Sequence, residues 1–328
     1  MDQAVSNEIA ELARRSRQGK RLSIVVPMHN EAPVLGQFFE RIEAATKDLG
    51  VALEIICVDD GSRDETLSGL VQKAARDPRV KVIALARNFG KEAALTAGIE
   101  AAAGDMVVPI DADLQDPPEL IADFVARWEE GYDVVYGARA DRSSDSAMKR
   151  TTARLFYRVF NGVADLEIPV SAGDFRLMDR EVVDALKRLP ERNRFMKGLF
   201  AWVGFRQIGV PYVRPERAAG VSTMGYLRLW RFALDGITSF STAPLRIWSV
   251  IGLIGAAVAV TYAFVLIMRV LFVGREAPGY ASLMVVILFS FAIQMIAFGV
   301  LGEYVGRLYQ EVKGRPIYVV RARIGFDA

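Results

Sequence analysis

The chain has 328 residues, of which 52% are hydrophobic, and its mean hydropathy of +0.21 is high for a fully soluble enzyme. Its 41 basic and 39 acidic residues nearly balance, so the composition does not favour a nucleic-acid-binding protein. The single cysteine, Cys57, excludes an internal disulfide framework and fits a reducing compartment. Because Cys57 lies in an apolar run, we expect it to be a buried structural residue.

The first 20 residues are polar and helix-like, and they lack the apolar core of a signal peptide. We therefore expect the segment that follows to be cytosolic. From residue 22 onward, short apolar strands alternate with helical segments. The predicted strands are 22–26, 53–58, 80–85, 106–110 and 134–136. This alternation predicts an α/β fold with a mostly parallel sheet and helices on both faces.

Polar side chains follow three of these strands, at the edge where such sheets bind ligands. They are Asn30 and Glu31 after the first strand, Asp59 and Asp60 after the second, and Asp111 and Asp113 after the fourth. Two carboxylates that are two positions apart in an extended segment project together and repel. A hard cation such as Mg²⁺ or Mn²⁺ would relieve this by bridging them to phosphate oxygens, and Gln115 can add an amide oxygen. An acidic turn is the simpler alternative.

Glycine-rich nucleotide signatures are absent from the sequence. The chain contains neither a G-x-G fingerprint nor a phosphate-binding G-x-x-x-x-G-K-[ST] loop. A bound nucleotide would therefore be held by carboxylates and a metal. Asp116 and Pro117 follow the acidic pair and predict an N-cap with proline at the first helical position.

Two long uncharged runs, 247–268 and 277–302, occupy the C-terminal third. Each can cross a hydrocarbon core of ~30 Å at ~1.5 Å per residue, and a buried soluble helix pair is the alternative. Their short link predicts a helical hairpin that returns the chain to its starting side. Basic residues in the tail then place the tail and the α/β part on the cytoplasmic side of the inner (plasma) membrane.

The segment 224–242 mixes aromatic and aliphatic residues with arginine, which favours a helix in the lipid headgroup region over one that docks on the catalytic domain. The predicted organisation has five parts. They are a polar helix-like segment at 1–20, a catalytic domain at 21–219, an amphipathic juxtamembrane segment at 220–245, two transmembrane helices within 246–305 (about 247–271 and 279–302) and a cytoplasmic tail at 306–328.

Four sequence blocks resemble family 2 glycosyltransferases with the GT-A fold. The blocks are PMHNE at 27–31, VDDGS at 58–62, RNFGKE at 87–92 and DADLQDPPE at 111–119. More narrowly, they resemble the polyprenyl-phosphate branch, which includes dolichyl-phosphate mannose synthases, bactoprenol glucosyltransferases and undecaprenyl-phosphate aminoarabinose transferases. The likeness covers residues 20–320. It departs after Gly220, where the family often has a Ser-Lys-aromatic run and this chain has Ser222-Thr223-Met224.

The resemblance implies a role for each block. Nucleotide-sugar binding falls to Pro27, Asn30, Glu31, Asp59, Asp60, Lys91, Asp111 and Arg139, with Arg139 reaching the phosphates. The resemblance implies that Asp111, Asp113 and Gln115 bind the metal and the diphosphate. The implied catalytic group comprises Asp174 at the acceptor side of the sugar, Asp113, and Arg194 and Lys197 as candidates for the lipid phosphate or the donor diphosphate. For Arg176, Arg192 and Arg206 a solvated surface charge is an equally good interpretation.

The resemblance thus predicts a metal-dependent transfer of a hexose, from UDP-glucose by preference, to undecaprenyl phosphate with inversion of the anomeric carbon. A phosphate monoester with a second pKa of about 6 is already largely ionised, so Asp174 can orient the acceptor without acting as a strong base. GDP-mannose or another donor, and a homo-oligomer, stay open. A processive polysaccharide synthase is disfavoured because the chain has no Q-x-x-R-W motif, and an inactive membrane scaffold because every acidic pair is kept.

Overall fold

The computed structural model describes residues 15–139, 172–192, 194–213, 243–273 and 279–326. Most of the predicted N-terminal segment and of the predicted amphipathic segment at 220–245 lies outside these residues.

In the described part of the chain the strands form one eight-stranded sheet with the order β7-β5-β6-β4-β1-β2-β3-β8. The strands are β1 (Arg21–Met28), β2 (Ala52–Asp59), β3 (Val80–Leu85), β4 (Met106–Pro109), β5 (Val134–Arg139), β6 (Ala172–Asp179), β7 (Gln207–Tyr212) and β8 (Val320–Ile324). Strands β4, β1, β2 and β3 are parallel, whereas β6 runs antiparallel between β4 and β5. The predicted α/β architecture is confirmed.

Helices cover both faces of this sheet, and side chains along each strand point alternately into the core on one face and the core on the other. The helices are α1 (Leu35–Thr46), α2 (Thr66–Arg76), α3 (Lys91–Ala101), α4 (Ile121–Glu129), α5 (Arg180–Lys187) and α6 (Met196–Trp202), with 3₁₀ turns at Ala32–Val34 and Pro118–Leu120. In β1, Ile24 and Val26 join the core under α1, α2 and α4, whereas Val25 joins the core under α3, α5 and α6.

Cys57 is fully buried in β2, and burial raises the pKa of its thiol to about 12. A thiol with such a pKa stays protonated and is a poor nucleophile. The prediction of a buried structural cysteine is therefore confirmed.

Helix α3 lies very close to the sheet at Gly98. A Cβ at this position would approach the Val25 side chain to 2.3 Å, so only glycine fits without a rearrangement. The close packing brings the N-terminal end of α3, which begins at Lys91 directly after Gly90, to the carboxyl ends of the parallel strands.

The predicted hairpin corresponds to two helices, α7 (Ala243–Val273) and α8 (Tyr280–Lys313). By length and composition both can cross a membrane, and the candidate spans Ile247–Val265 and Ser282–Lys313 are not buried inside the protein. Arg307 and Glu303, one helical turn apart in α8, form an ion pair of 2.8 Å. This pair supports the continuation of α8 beyond residue 302. The helix ends at Gly314, which has φ of +67°.

The chain returns to the catalytic domain after α8. Strand β8 pairs antiparallel with β3, and the backbone N–H of Ala86 donates to the carbonyl of Val319 at 2.8 Å. The sequence assigned 306–328 to a tail apart from the catalytic domain, whereas the structure divides it between a helix and the edge of the sheet. The predicted apolar pattern could not show this, because β8 is short and rich in arginine.

Candidate active site

A cleft of about 300 Å³ opens at the carboxyl ends of the central strands. The strand order reverses at β1, which has β2 on one side and β4 on the other, and open α/β sheets bind ligands at such a switch point. The predicted site residues that line the cleft are Pro27, Glu31, Asp60, Lys91, Asp111 and Asp113. His29 and Asn88, which the sequence did not single out as ligands, line it too.

Asp59 and Asp60 have separate structural roles although they are neighbours. Asp59 is buried and accepts a hydrogen bond from the backbone N–H of Ser62 at 3.3 Å, which closes the turn after β2. Asp60 accepts from the N–H groups of Phe89 and Gly90 at 2.7 and 2.8 Å. Asp60 therefore fixes the loop that leads into α3 and so helps to position Lys91.

Asn30 supports this wall without lining the cleft. It has φ of +58°, a conformation that asparagine tolerates better than most residues. Its side-chain oxygen accepts from the N–H of Arg63 at 2.8 Å, and its own N–H donates to the Ser62 hydroxyl at 3.0 Å. Of the predicted nucleotide ligands, Asn30 is thus exposed beside the cleft and Asp59 is buried beneath it, and neither lines the cleft.

Lys91 joins Asp111, which lines the cleft, to Asp174, which is not among the lining residues. Its ammonium lies 2.8 Å from a carboxylate oxygen of Asp111 and 2.7 Å from one of Asp174. Partial desolvation would lower the pKa of Lys91, but the charges of Asp174 and Asp111 outweigh it and raise that pKa well above its usual range. The lysine is therefore a permanent cation between the two carboxylates.

Asp174 is held as an anion. Burial would raise the pKa of its carboxyl, but the charges of Lys91 and Lys197 outweigh burial and hold the pKa well below its usual range. Its second oxygen, Oδ1, is buried and accepts no hydrogen bond from the described residues. Asp174 is thus a weak base whose Oδ1 has no hydrogen-bond partner among the described residues.

Asp111, Asp113 and Gln115 fit the ligand set of a hard cation. Asp113 accepts from the N–H of Gln115 at 3.1 Å in a turn in which Leu114 has φ of +58°, and the side-chain oxygen of Gln115 is buried without a hydrogen-bond partner among the described residues. Within the part of the chain that the structure describes, no group of three or more His, Cys, Asp or Glu side chains could hold a metal. Two carboxylates and an amide suit a cation that takes its other ligands from phosphates and water.

Arg176 is not the solvated charge that the sequence equally allowed. It is 3% exposed, donates to the carbonyl of Gly173 at 2.6 Å and packs 4.0 Å over the ring of Phe200. Burial lowers the pKa of Arg176 to about 10 in spite of the nearby charge of Asp174. The surface interpretation of Arg176 is therefore wrong, whereas Arg206 is exposed and stacks on Tyr132.

Glu92 is a half-buried acidic group that the sequence analysis did not single out. Burial and the negative charge of Asp174 raise the pKa of Glu92 to about 7, and its carboxylate accepts from the N–H of Met196 at 3.3 Å. The signal for it was its place beside Lys91 in the RNFGKE block. Its role could not be read from that block, because the contact to Met196 joins positions 104 residues apart.

Asp116 does not cap a helix. Pro117 occupies the N-cap position of the 3₁₀ turn, and the carboxylate of Asp116 is buried and accepts from the hydroxyl of Tyr212 at 2.7 Å. Arg139, at the end of β5, interacts with the same hydroxyl. Arg139 thus lies beside a buried polar pair, outside the lining of the cleft.

A second cavity, of about 810 Å³, lies beside the cleft and shares Gly90 and Lys91 with it. Its walls are the start of α3, the segment before α6 and the last turns of α8 with the residues that follow. The cavity includes Arg194, a predicted site residue, and Arg192, which the sequence equally allowed to be a surface charge. The charge of Lys197 helps to lower the pKa of Asp174, and Lys197 lines neither the cleft nor this cavity.

The model of the family described as "Glycosyl transferase family 2" matches residues 23–187, a range that holds both acidic pairs, Lys91 and Asp174. The chain belongs to glycosyl transferase family 2. The GT-A type of α/β fold predicted for it is confirmed, as is the resemblance to the polyprenyl-phosphate branch of family 2.

Several curated family 2 proteins match nearly the whole chain. An uncharacterised glycosyltransferase from Synechocystis sp. is 52% identical over 306 residues, 93% of this chain and 96% of that protein. The SfII prophage-derived bactoprenol glucosyl transferase of Shigella flexneri is 46% identical over 301 residues, 92% of this chain and 97% of that protein. Among solved structures, mannosyl-3-phosphoglycerate synthase from Rubrobacter xylanophilus is 23% identical with a TM-score of 0.48, covering 74% of this chain and 78% of that one.

Proposed function

We propose that this protein transfers a hexose, preferentially glucose from UDP-glucose, to polyprenyl (undecaprenyl) phosphate at the cytoplasmic face of the inner membrane. The observation that carries the proposal is the cation of Lys91 held between Asp111 and Asp174 in a cleft at the switch point of the sheet. The names of the bactoprenol glucosyl transferase relatives support both the glucosyl group and the lipid acceptor.

In this proposal the cleft binds the nucleotide-sugar donor. Pro27 and Glu31 line the part beside β1, where the nucleoside would lie, and Asp111, Asp113 and Gln115 would hold the diphosphate through a cation. A divalent cation, Mg²⁺ or Mn²⁺, bound there would supply Lewis-acid neutralisation of the charge that develops on the departing diphosphate.

The acceptor needs little activation by the protein. With a second pKa of about 6, a lipid phosphate is largely a dianion at neutral pH. One of its oxygens attacks the anomeric carbon, the bond from that carbon to the donor diphosphate breaks, and the nucleoside diphosphate leaves with the electron pair. No proton has to be removed, and a single in-line displacement inverts the anomeric centre.

Asp174 then acts as an orienting residue. Its low pKa makes it a weak base, and its buried Oδ1 has no partner among the described residues, so this oxygen can accept a hydrogen bond from a sugar hydroxyl. Lys91 and Lys197 keep Asp174 ionised, and Arg194, which lines the neighbouring cavity, would contact the acceptor phosphate.

The test uses the full chain in detergent with UDP-glucose, Mg²⁺ and undecaprenyl phosphate, and measures release of UDP. Release that requires the lipid, with a β-linked product from the α-linked donor, supports the proposal. Asp113→Ala should abolish release, whereas Asp105→Asn should not, because Asp105 lies at the opposite end of β4 and binds Lys20. Undiminished turnover in EDTA, or in a variant lacking both Asp111 and Asp113, would overturn it.

A panel of donors separates glucose from its alternatives. UDP-glucose, UDP-galactose, UDP-N-acetylglucosamine and GDP-mannose are compared at equal concentration with the same lipid. We expect the highest kcat/KM with UDP-glucose. Faster transfer from GDP-mannose would keep the reaction class and change the sugar, and polymer formation would replace the proposal with a processive synthase.

A further inference from the structure

We propose that the 810 Å³ cavity binds the phosphate head group of the lipid acceptor, and that Lys313 and Arg315, at the end of the membrane hairpin, are phosphate ligands there. This inference rests on the proposed function and adds residues that lie outside the matched family region at 23–187. We call this space the α8 cavity.

The charge of the α8 cavity suits a phosphate dianion. Five basic side chains line it, namely Lys91, Arg192, Arg194, Lys313 and Arg315, against one acidic side chain, Glu92. Arginine and lysine around a partly open cavity of this size suit an anion, since guanidinium groups bind phosphate oxygens in pairs and ammonium groups act as point charges.

The lining residues of α8 form a single face of the helix. Gly306, Tyr309, Gln310 and Lys313 are spaced at i, i+3, i+4 and i+7 and therefore lie one above another toward the cavity. An added Cβ at Gly306 would meet nothing within 4 Å, so the cavity is open at this turn. The gap leaves room for the first isoprene units of a lipid that rises along the helix.

The position of this face along α8 suits a lipid phosphate that moves from the headgroup layer to the catalytic domain. The uncharged run ends at residue 302, so Gly306 lies ~6 Å beyond it and Lys313 ~16 Å beyond it along the helix axis. The headgroup layer of a bilayer is ~5–8 Å thick on each side. The face thus begins within the headgroup layer and ends above it, where a phosphate drawn out of the bilayer would meet Lys313 and Arg315.

Contacts with the catalytic domain hold the chain that carries Lys313 and Arg315. The backbone N–H of Arg192 donates to the carboxylate of Glu311 at 3.0 Å, and its guanidinium donates to the carbonyl of Arg315. Downstream, the hydroxyl of Tyr318 donates to Glu100 of α3 at 2.5 Å. A rigid site loses less entropy on binding, so these anchors favour a preformed phosphate site.

The α8 cavity also leads to the reaction centre. Gly90 and Lys91 line both spaces, and the ammonium of Lys91 contacts Asp174. A phosphate bound by Lys313 and Arg315 would therefore lie on the open side of the donor cleft. An acceptor delivered along this route would reach the donor cleft from the side of Lys91 and Asp174.

The decisive experiment is a double substitution, Lys313→Gln with Arg315→Gln, in the full chain in detergent. We expect the KM for undecaprenyl phosphate to rise roughly 10- to 100-fold, since two charge-assisted contacts are lost. The KM for UDP-glucose should stay within about twofold, because the donor cleft is unchanged. Arg321→Gln, an exposed residue of β8 that does not line the cavity, is the matched control and should leave both constants unchanged.

A binding measurement removes the dependence on turnover. Undecaprenyl phosphate should raise the unfolding temperature of the wild-type protein, phosphatidylglycerol at the same concentration should raise it less, and the double variant should lose the difference. If phosphatidylglycerol stabilises equally, the cavity is a general anionic-lipid site and the inference is wrong. If the wild type binds the lipid but transfers no sugar, the proposed function fails and the inference stands.

A steric variant tests the route of the lipid chain separately. Gly306→Leu places a side chain in the gap on the cavity face, where its Cβ meets no protein atom within 4 Å, and it should raise the KM for undecaprenyl phosphate at least fivefold. Gly252→Leu adds the same side chain in α7, where the surroundings are equally open, and should have no effect. Unchanged lipid constants in both the Gly306 variant and the double variant, or a loss confined to UDP-glucose, would overturn the inference.

Discussion

The ammonium nitrogen of Lys91 lies 2.7 Å from the carboxylate of Asp174, a residue 83 positions later in the chain. Lys91 begins α3, on the parallel half of the sheet, whereas Asp174 lies on the antiparallel strand β6. The contact therefore joins the part of the cleft proposed for the donor to the part proposed for the acceptor.

Replacing Lys91 with methionine should lower kcat/KM roughly 100-fold, because Asp174 would lose the main charge that keeps it ionised and positioned. Lys91→Arg should retain part of the activity. If Lys91 acts through Asp174, the losses in Lys91→Met, Asp174→Asn and the double variant will not add. Additive losses in steady-state kinetics would show that the two residues act independently.

Lys81→Met is the matched control for this prediction. Lys81 also pairs with a buried carboxylate, that of Glu54, at 2.7 Å, but this pair does not line the cleft. The substitution should lower the unfolding temperature and leave the kcat/KM of the folded protein unchanged. An equal loss of kcat/KM would mean that removing any such ion pair inactivates the enzyme.

Glu92 should make stability depend on pH in an unusual direction. The pKa of Glu92 is raised to about 7, above the unfolded value of about 4.5, so its contribution is complete below the unfolded pKa and is lost as pH rises through 7. The loss is at most about 1.4 kcal/mol per pH unit. Relative to wild type, Glu92→Gln should therefore gain unfolding temperature between pH 5 and pH 8, as measured by tryptophan fluorescence, to which the buried Trp128 contributes. A difference independent of pH would contradict the assignment.

Gly61 should tolerate alanine much less well than Gly50, although both have positive φ. A Cβ at Gly61 would lie 2.6 Å from the backbone of Arg87 and Asn88, whereas at Gly50 it would meet nothing within 4 Å. Gly50→Ala should cost about 1–2 kcal/mol, the penalty of the left-handed conformation alone. Gly61→Ala should cost clearly more and displace the loop that Asp60 holds. Equal losses in chemical denaturation would show that this loop moves freely.

Much of the parallel sheet and several of the cleft residues could be predicted from sequence, because they depend on local patterns. Strand ends followed by acidic residues place Asp111 and Asp113 correctly, since parallel strands share one edge. The same rule could not show that Asp59 faces the turn after β2 and Asp60 the loop before α3. Neighbouring residues in a strand point in opposite directions, and only the tertiary partners decide which one reaches the cleft.

Long-range contacts account for what the sequence analysis missed. The sequence allowed Arg176 to be a solvated surface charge, yet it packs over the ring of Phe200, donates to the carbonyl of Gly173 and is buried. Strand β8 has alternating arginines and no long apolar run, so its pattern could not distinguish a cytoplasmic tail from the edge of a sheet. Its place is determined by β3, which it joins after an interval of more than 200 residues.

Removing residues 316–328 should destabilise the catalytic domain, which a detached tail would not do. The deletion exposes the edge of β3 and loses the partly buried Val320 and Ile324 and the hydrogen bond from Tyr318 to Glu100. Two half-buried aliphatic side chains at about 1 kcal/mol each and one hydrogen bond at about 1 kcal/mol give a loss of about 3 kcal/mol. For a domain of this size that lowers the unfolding temperature by roughly 6–12 °C.

Tyr318→Phe separates the hydrogen bond from the strand pairing, since it keeps the ring and the backbone of the segment. It should lower the unfolding temperature by roughly 2–4 °C, the share of one hydrogen bond. Differential scanning fluorimetry of the three proteins in one detergent gives both values. If the truncated chain unfolds at the wild-type temperature, β8 does not pair with β3 in solution, and the anchor that holds Arg315 at the α8 cavity is lost with it.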